Sequence, residues 1–397
     1  MTATDRAATP AARTRKGILP WRIERRPDPD RIGVYRLVAV LVGLAISLIV
    51  APILSGVPVG DFYKAIWTGT IGTALGWSNV LTIAIPLTLA GLAAAIPYRL
   101  SLWNVGIDGQ MLMGAWAATG VGLWLPNAPG PLLILVMIIA GLIAGALWIV
   151  IPTWARVAFG VSEVITTFLL NFVAVAWLVY WCTGPWRAPG VAGGIRAAQV
   201  PEQSWLPMLD IHGAQVNLGI VLVPLLPVAF WAYSRFTRRG YEVTMLGANP
   251  QAGGYAGMRV KRHLITAMLM GGAIAGLAGA INMLGTSHEL SPGLTYNTGF
   301  NGLVVAVLAG ANELGVLALS AVYSLLLAGG GSLGIIGVSS DLVFAIIGVT
   351  LVFGSLGEAY ARLRLVRTTP RGASSPTAPP PSITPSLPGS TESEGAS

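Results

Sequence analysis

Uninterrupted apolar runs long enough to cross a lipid bilayer recur along this chain, and they exclude most folds at once. A helix needs about 20 residues to span roughly 30 Å of hydrocarbon. The run 37–54 is the plainest, and others cover 78–97, 107–125, 131–151, 162–181, 215–234, 263–285 and 341–361. The stretch 298–330 is broken by Ala311, Asn312 and Glu313 and reads as two short helices meeting at a tight turn. That makes ten crossings, or eight if the short pair is re-entrant and one other boundary is misread. Composition agrees: charged residues make up 10% of the chain against 54% hydrophobic, with a mean hydropathy of +0.70, whereas soluble domains carry about 25% charged residues. The runs do not alternate polar and apolar residues as barrel strands do. The expected fold class is therefore all-α, a polytopic transmembrane helical bundle.

The cations divide the chain into two sides. Nine of the 24 Lys and Arg residues precede Leu37, six lie in 235–262, four lie in 362–371, and Arg99 and Arg156 occupy two further connections. Ten crossings put all of these on one side, leaving Lys64, Arg187 and Arg196 on the other. The positive-inside rule makes the basic side cytoplasmic, with both termini there. Three segments follow: a basic N-terminal segment 1–36, a membrane domain 37–361 with a cytoplasmic loop 235–262, and a tail 362–397 rich in Pro, Ser, Thr and Gly that is expected to be disordered. The basic ends are explained by anionic lipid and need no nucleic acid.

Polar residues inside the apolar frame are the functional candidates, because unpaired polar groups in lipid are expensive. Asn104, Asp108 and Gln110 are packed with Gly106 and Gly109 at the start of an apolar run, a combination that favours broken backbone lining a cavity. The bland alternative is that Asp108 sits at the interface and caps the helix that follows. Glu163 and Asn171 are eight residues apart, on one helical face, and Asn282, Asn297 and Asn301 crowd the second half. These eight residues are the candidates for a translocation pathway. Gly91-Leu-Ala-Ala-Ala-Ile-Pro97 is loosely echoed by Gly276-Leu-Ala-Gly-Ala-Ile-Asn282. With ten helices, helices one to five start inside and six to ten start outside, the parity of two inverted five-helix repeats.

Catalytic signatures are missing. The chain has no Gly-x-x-x-x-Gly-Lys-Ser/Thr phosphate loop and no His-Glu-x-x-His, and its three histidines, His212, His263 and His288, are scattered. Cys182 is the single cysteine, so no disulfide forms within the chain. The expectation is a non-catalytic membrane protein that binds no cofactor, with energy for any uphill transport supplied by an ion gradient or by another subunit.

In the cytoplasmic loop, Asn249-Pro250 reads as a helix start and 251–258 as one or two turns ended by Gly257. Taken with Asn104-Val-Gly-Ile-Asp-Gly-Gln110, the string Leu246-Gly-Ala-Asn-Pro-Gln-Ala-Gly-Gly-Tyr-Ala-Gly257 resembles the permease subunits of ABC importers for simple sugars and nucleosides, in the branched-chain amino acid/ribose-type superfamily. The resemblance spans roughly 37–361. Family members carry Asn-x-Gly-x-Glu-Gly-Gln, so Asp108 is shorter than the family's acid by one methylene.

The resemblance implies a permease that provides the pathway for an ATP-driven importer in a bacterial cytoplasmic membrane, for nucleosides or alternatively for simple sugars. An ion-coupled secondary transporter is the remaining transport reading. ATP and magnesium would reside on a separate cytoplasmic ATPase, contacted by Gly247, Asn249, Pro250, Ala252, Tyr255, Ala256 and Gly257. A second permease, a related but different chain, and an external substrate-binding protein or lipoprotein would complete the assembly. The stretch Gly299-Phe-Asn-Gly302 also resembles the family's second-half segment, where Gly299, Asn301 and Gly302 would border the pathway.

Overall fold

A computed structural model describes residues 21–25, 32–190 and 194–367. Fourteen α-helices follow in order: α1 Ile32–Ser55, α2 Val59–Gly69, α3 Ala74–Tyr98, α4 Ile107–Trp124, α5 Gly130–Trp148, α6 Val150–Phe159, α7 Glu163–Thr183, α8 Leu222–Phe236, α9 Arg238–Ala248, α10 Pro250–Tyr255, α11 Val260–Asn282, α12 Thr298–Leu308, α13 Glu313–Ile335 and α14 Ser340–Arg362. Strand β1, Trp21–Arg25, pairs antiparallel with β4, Leu363–Arg367. Strands β2, Met208–Ile211, and β3, Ala214–Asn217, form a hairpin closed by His212 and Gly213, both at positive φ, as a two-residue turn of this kind requires. The basic arm before Trp21 and the tail beyond Arg367 lie outside the described residues. The first five residues after α14 form β4, where an unstructured tail was expected.

Eight helices among the described residues are long and apolar enough to cross a membrane. Every apolar run found in the sequence is helical for most of its length. Helix α4 is long but begins with Asp108 and Gln110, and α12 is too short to cross. The break at 311–313 is where the sequence put it, with Gly310 and Ala311 at positive φ and Asn312 capping α13 through bonds from the Leu314 and Gly315 amides. Only the first helix of that pair is short, however, since α13 runs for 23 residues. The run read as helix over 215–234 begins as β3, which pairs with β2 and packs on α3 with Val216 buried in the core.

Two helices form the centre. The spans containing α3 and α11 are 78% and 67% buried, against 35% or less for the other six. Helix α11 packs on α4 and α5, helix α3 packs on α12 and α13, and the two also pack on each other. Each central helix therefore takes its principal partners from the opposite half of the chain. Small residues permit the approach. A Cβ at Gly276 of α11 would stand 2.9 Å from the Gly145 backbone of α5 and closer still to the Gly141 carbonyl.

The helix connections sort onto two faces. On one, the Arg99 guanidinium at the end of α3 donates to the Ala311 carbonyl at 3.1 Å and to the Glu313 carboxylate at 2.7 Å, joining α3 to the α12–α13 turn. On the other, the segment after α7 hydrogen-bonds the stretch after α11 through Ala197 to Leu290, Val200 to His288 and Leu206 to Leu284. Trp205 stacks on the His288 ring with centroids 4.0 Å apart, and burial holds His288 below its ordinary pKa.

The close packing at Gly276 makes a prediction. Gly276→Ala should lower stability by about 1–3 kcal/mol through overpacking, read as a lower thermal midpoint of the purified chain in detergent. Gly348→Ala, where an added Cβ meets nothing within 4 Å, should be neutral or slightly stabilising. Equal midpoints would contradict this packing.

Candidate functional site

After α3 the chain turns at 99–101, with Ser101 exposed at positive φ, and then runs inward past buried Leu102 and Asn104. Residues 102–106 run without regular structure beside α7 before α4 begins at Ile107. Backbone polar groups released in this way need partners inside a membrane. Helix α7 supplies them from one face, at successive four-residue steps. Glu163 accepts from the Trp103 amide at 3.5 Å, Thr167 accepts from the Val105 amide at 3.2 Å, and Asn171 both donates to the Val105 carbonyl at 3.0 Å and accepts from the Gly109 amide at 2.8 Å. Glu163 is also held by Arg156 at 3.2 Å. Thr167 escaped the sequence reading although its position, midway between Glu163 and Asn171, was the available signal.

Asn104 and Gln110 face each other in a reciprocal amide pair, 3.0 and 2.8 Å, and Asn104 also accepts from the Gly106 amide. Both are essentially fully buried. They close the turn that launches α4. Asn301 accepts from the Tyr323 hydroxyl at 3.2 Å, and Asn282 donates to the Leu294 carbonyl at 3.0 Å.

Asp108 joins the two halves. One carboxylate oxygen accepts from the Gly299 amide at 2.9 Å and the other from the Phe300 amide at 3.0 Å. These are free N–H groups in the first turn of α12, and a carboxylate there also meets the positive end of the helix dipole. Gly299 is required because a Cβ at this position would press on the Asp108 backbone and carboxyl carbon. Asp108 is thus a cap, but of α12, 191 residues away, rather than of its own helix. The 11 residues of α12 rise about 16 Å to the Ala311 turn, close to half of a bilayer's roughly 30 Å hydrocarbon core. Helices α4 and α12 thus present their N-terminal ends to each other, with Asp108 bridging them. A second sequence echo marks this meeting: Gly106-Ile-Asp-Gly109 opens α4 and Gly299-Phe-Asn-Gly302 opens α12.

A cavity of about 370 Å³ opens beside this junction, within the range of small-molecule sites. Asp108, Asn171 and Asn297 supply polar lining, and Phe168, Phe172, Tyr296 and Phe300 supply aromatic lining. Tyr296 and Asn297 both adopt positive φ, a conformation that is costly for a non-glycine residue and tends to cluster at functional sites. Of the eight polar candidates, three line the cavity. Asn104, Gln110, Glu163, Asn282 and Asn301 lie outside its lining, in bonds that hold its walls.

The cytoplasmic-loop motif folds as its residues suggest. Asn249 caps α10 by accepting from the Gln251 and Ala252 amides, both at 3.1 Å, with Pro250 at the first helical position. Ala256 follows the helix and Gly257, at φ +78°, ends it. Tyr255 is 94% exposed, and Ala252 and Ala256 are exposed beside it. Gly247 instead packs under the Arg99 carbonyl. The 11-residue helix α9 that carries this motif was not anticipated.

The family model for the branched-chain amino acid transport system permease component matches residues 76–357, and the chain belongs to that family. It is a membrane permease subunit of an ABC-type importer, with no catalytic role of its own. Among its relatives, the guanosine ABC transporter permease protein NupP of Bacillus subtilis is 31% identical over 82% of this chain and 93% of its own length. The glucose ABC transporter permease protein TsgB13 of Haloferax volcanii is 31% identical over 83% and 88%. The nucleoside ABC transporter permease protein NupB of Lactococcus lactis is 27% identical over 80% and 89%.

Asp108→Ala removes the acceptor for two amides and should destabilise the chain by about 1–3 kcal/mol. The thermal midpoint in detergent should fall clearly, and Asp108→Asn, which keeps one acceptor oxygen, should fall less. An unchanged midpoint for Asp108→Ala would mean that the bridge to α12 contributes nothing.

Proposed function

We propose that this chain forms the membrane path of an ATP-driven nucleoside importer, with solute passing the cavity lined by Asp108, Asn171 and Asn297. The observation that carries the reading is the juxtaposition of these groups with four aromatic rings on the same cavity. Aromatic faces stack on a planar base, and amide and carboxylate groups bond its edges and the ribose hydroxyls. The relatives named for guanosine and nucleosides support the substrate class. A simple sugar is the second reading, favoured by the equally similar relative named for glucose.

The path is proposed to lie within ten crossings arranged as two inverted five-helix repeats. The exchanged packing of α3 and α11, and the paired openings of α4 and α12, support that arrangement. The face carrying Arg99 and α10 is proposed to be cytoplasmic, with both termini, in a bacterial inner membrane. There, Asn249 to Gly257 would meet a separate ATPase that binds ATP and magnesium, Tyr255 being the exposed anchor of the contact. Movement of α10 would pass through α9 and α11, both of which it touches, and bias the bundle between outward and inward openings. A second, related permease and an external solute-binding protein complete the proposed assembly. Asn104, Gln110, Glu163, Asn282 and Asn301 then act as supports of the path, and Gly247 as the close contact that seats the α9–α10 unit.

The test is uptake of labelled guanosine and glucose by cells lacking the native gene and complemented with variants. Asn171→Ala and Phe172→Ala should cut nucleoside uptake at least tenfold, and Tyr255→Ala should cut uptake of any solute while the protein still reaches the membrane. Glucose uptake without guanosine uptake would favour the sugar reading. Full uptake by Tyr255→Ala combined with Asn249→Ala would remove α10 as the coupling element.

A further inference from the structure

A second cavity, of about 330 Å³, lies where the end of α3, the end of α8, the start of α9 and the first turns of α11 converge. Its lining has a marked charge imbalance. Arg99, Arg238, Arg239, Arg259 and Arg262 contribute five positive charges against the two negative charges of Glu242 and Glu313. The two acids are already engaged. Glu313 binds Arg99 at 2.7 Å, while Glu242 binds Arg238 at 3.0 Å and His263 at 2.9 Å. Arg239, Arg259 and Arg262 have no ion-pair partner among the described residues.

Their position makes the imbalance worse. Arg259 occupies the N-cap position of α11 without a side-chain capping bond, and Arg262 stands in the first turn, where no acidic residue occurs. A helix N-terminus is itself positive, so cations there are disfavoured unless an anion neutralises them. The cavity also has an apolar side, with Phe230, Val243 and Met270 in its lining. A basic mouth over an apolar wall, set between membrane helices, suits the phosphate of an amphiphilic or ring-bearing ester. Arginine matches phosphate oxygens through paired N–H donors.

We propose that this cavity binds a phosphate-ester anion, from an anionic lipid headgroup or from a soluble phosphate ester such as a nucleotide. The site is separate from the solute cavity and does not depend on which solute the importer carries. Because α9 and α11 both line it and both touch α10, an occupant would brace the segment that carries the exposed Tyr255. That consequence rests on the coupling role proposed for α10, whereas binding does not.

The experiment uses the full chain in neutral detergent, following its thermal midpoint by the fluorescence of its 13 tryptophans. Three probes are titrated: dioctanoyl-phosphatidylglycerol, dioctanoyl-phosphatidylcholine and guanosine monophosphate. A saturable rise of a few degrees is expected with phosphatidylglycerol, with guanosine monophosphate, or with both, and not with the zwitterionic lipid. Which arm responds identifies the source. The rise should vanish in R239Q/R262Q and persist in K64Q/R187Q, which removes equal charge away from the cavity. R239Q/R262Q should not lower the ligand-free midpoint, since both side chains are exposed and neither has an ion-pair partner among the described residues.

No saturable rise with either anion would overturn the proposal, as would an equal rise in R239Q/R262Q. A rise lost equally in K64Q/R187Q would show diffuse charge attraction and overturn it too. If neither anion binds but R239Q/R262Q fails to co-purify with an ATPase, the arginines are a protein contact and the ligand site is refuted.

Discussion

One carboxylate holds the middle of this membrane protein together. Asp108 stands in the first turn of α4 and receives two amides from the first turn of α12. Both helices start after an irregular stretch, so each presents unpaired amides and a positive dipole end at the wall of the cavity. Bringing two such ends together without an anion would be repulsive and would leave amides unpaired. With Asp108 between them, the junction becomes a stable landmark around which the adjoining cavity is shaped. The two broken stretches can exist because this bond and the α7 side chains satisfy them.

Around the junction the bundle is built by exchange. Helix α3 rests on α12 and α13, and α11 rests on α4 and α5. Neither half of the chain can bury its central helix alone. That interdependence gives a physical route from the basic face to the cavity. Arg99 ties α3 to the turn that ends α12, and α12 carries the amides bound by Asp108. A displacement of the α9–α10 unit, seated on the Arg99 carbonyl through Gly247, therefore bears on elements that connect directly to the cavity wall.

Much of this was legible from the residues. Apolar length revealed the helices, Asn249-Pro250 revealed the start of α10, and the Ala311 break revealed the α12–α13 turn. Asp108 stood out as an intramembrane acid and a pathway candidate, with capping of its own helix as the bland alternative, whereas the cap it forms is on α12. A bond between residues 191 apart leaves no local signal. Thr167 was missed because a threonine in an apolar helix is unremarkable until the backbone it serves is known. Helices α2, α6 and α9 were missed for a different reason: they have only 10 or 11 residues each and lack the long apolar run that marks a spanning helix. Strands β1, β2 and β4 have only four or five residues each and lack a long apolar run, while β3 merges in sequence with the apolar run over 215–234.

Water access to the cavity is the most direct test of its role. Cysteines introduced singly at Phe172 and Asn297 can be challenged with a hydrophilic thiol reagent in the assembled, membrane-embedded importer, with native Cys182 buried and giving little background. A path that alternates its access should let both positions react in one nucleotide state and protect them in the other. Positions that face lipid or a sealed interior would stay unreactive in every state, and that result would contradict a solute path along Asp108, Asn171 and Asn297.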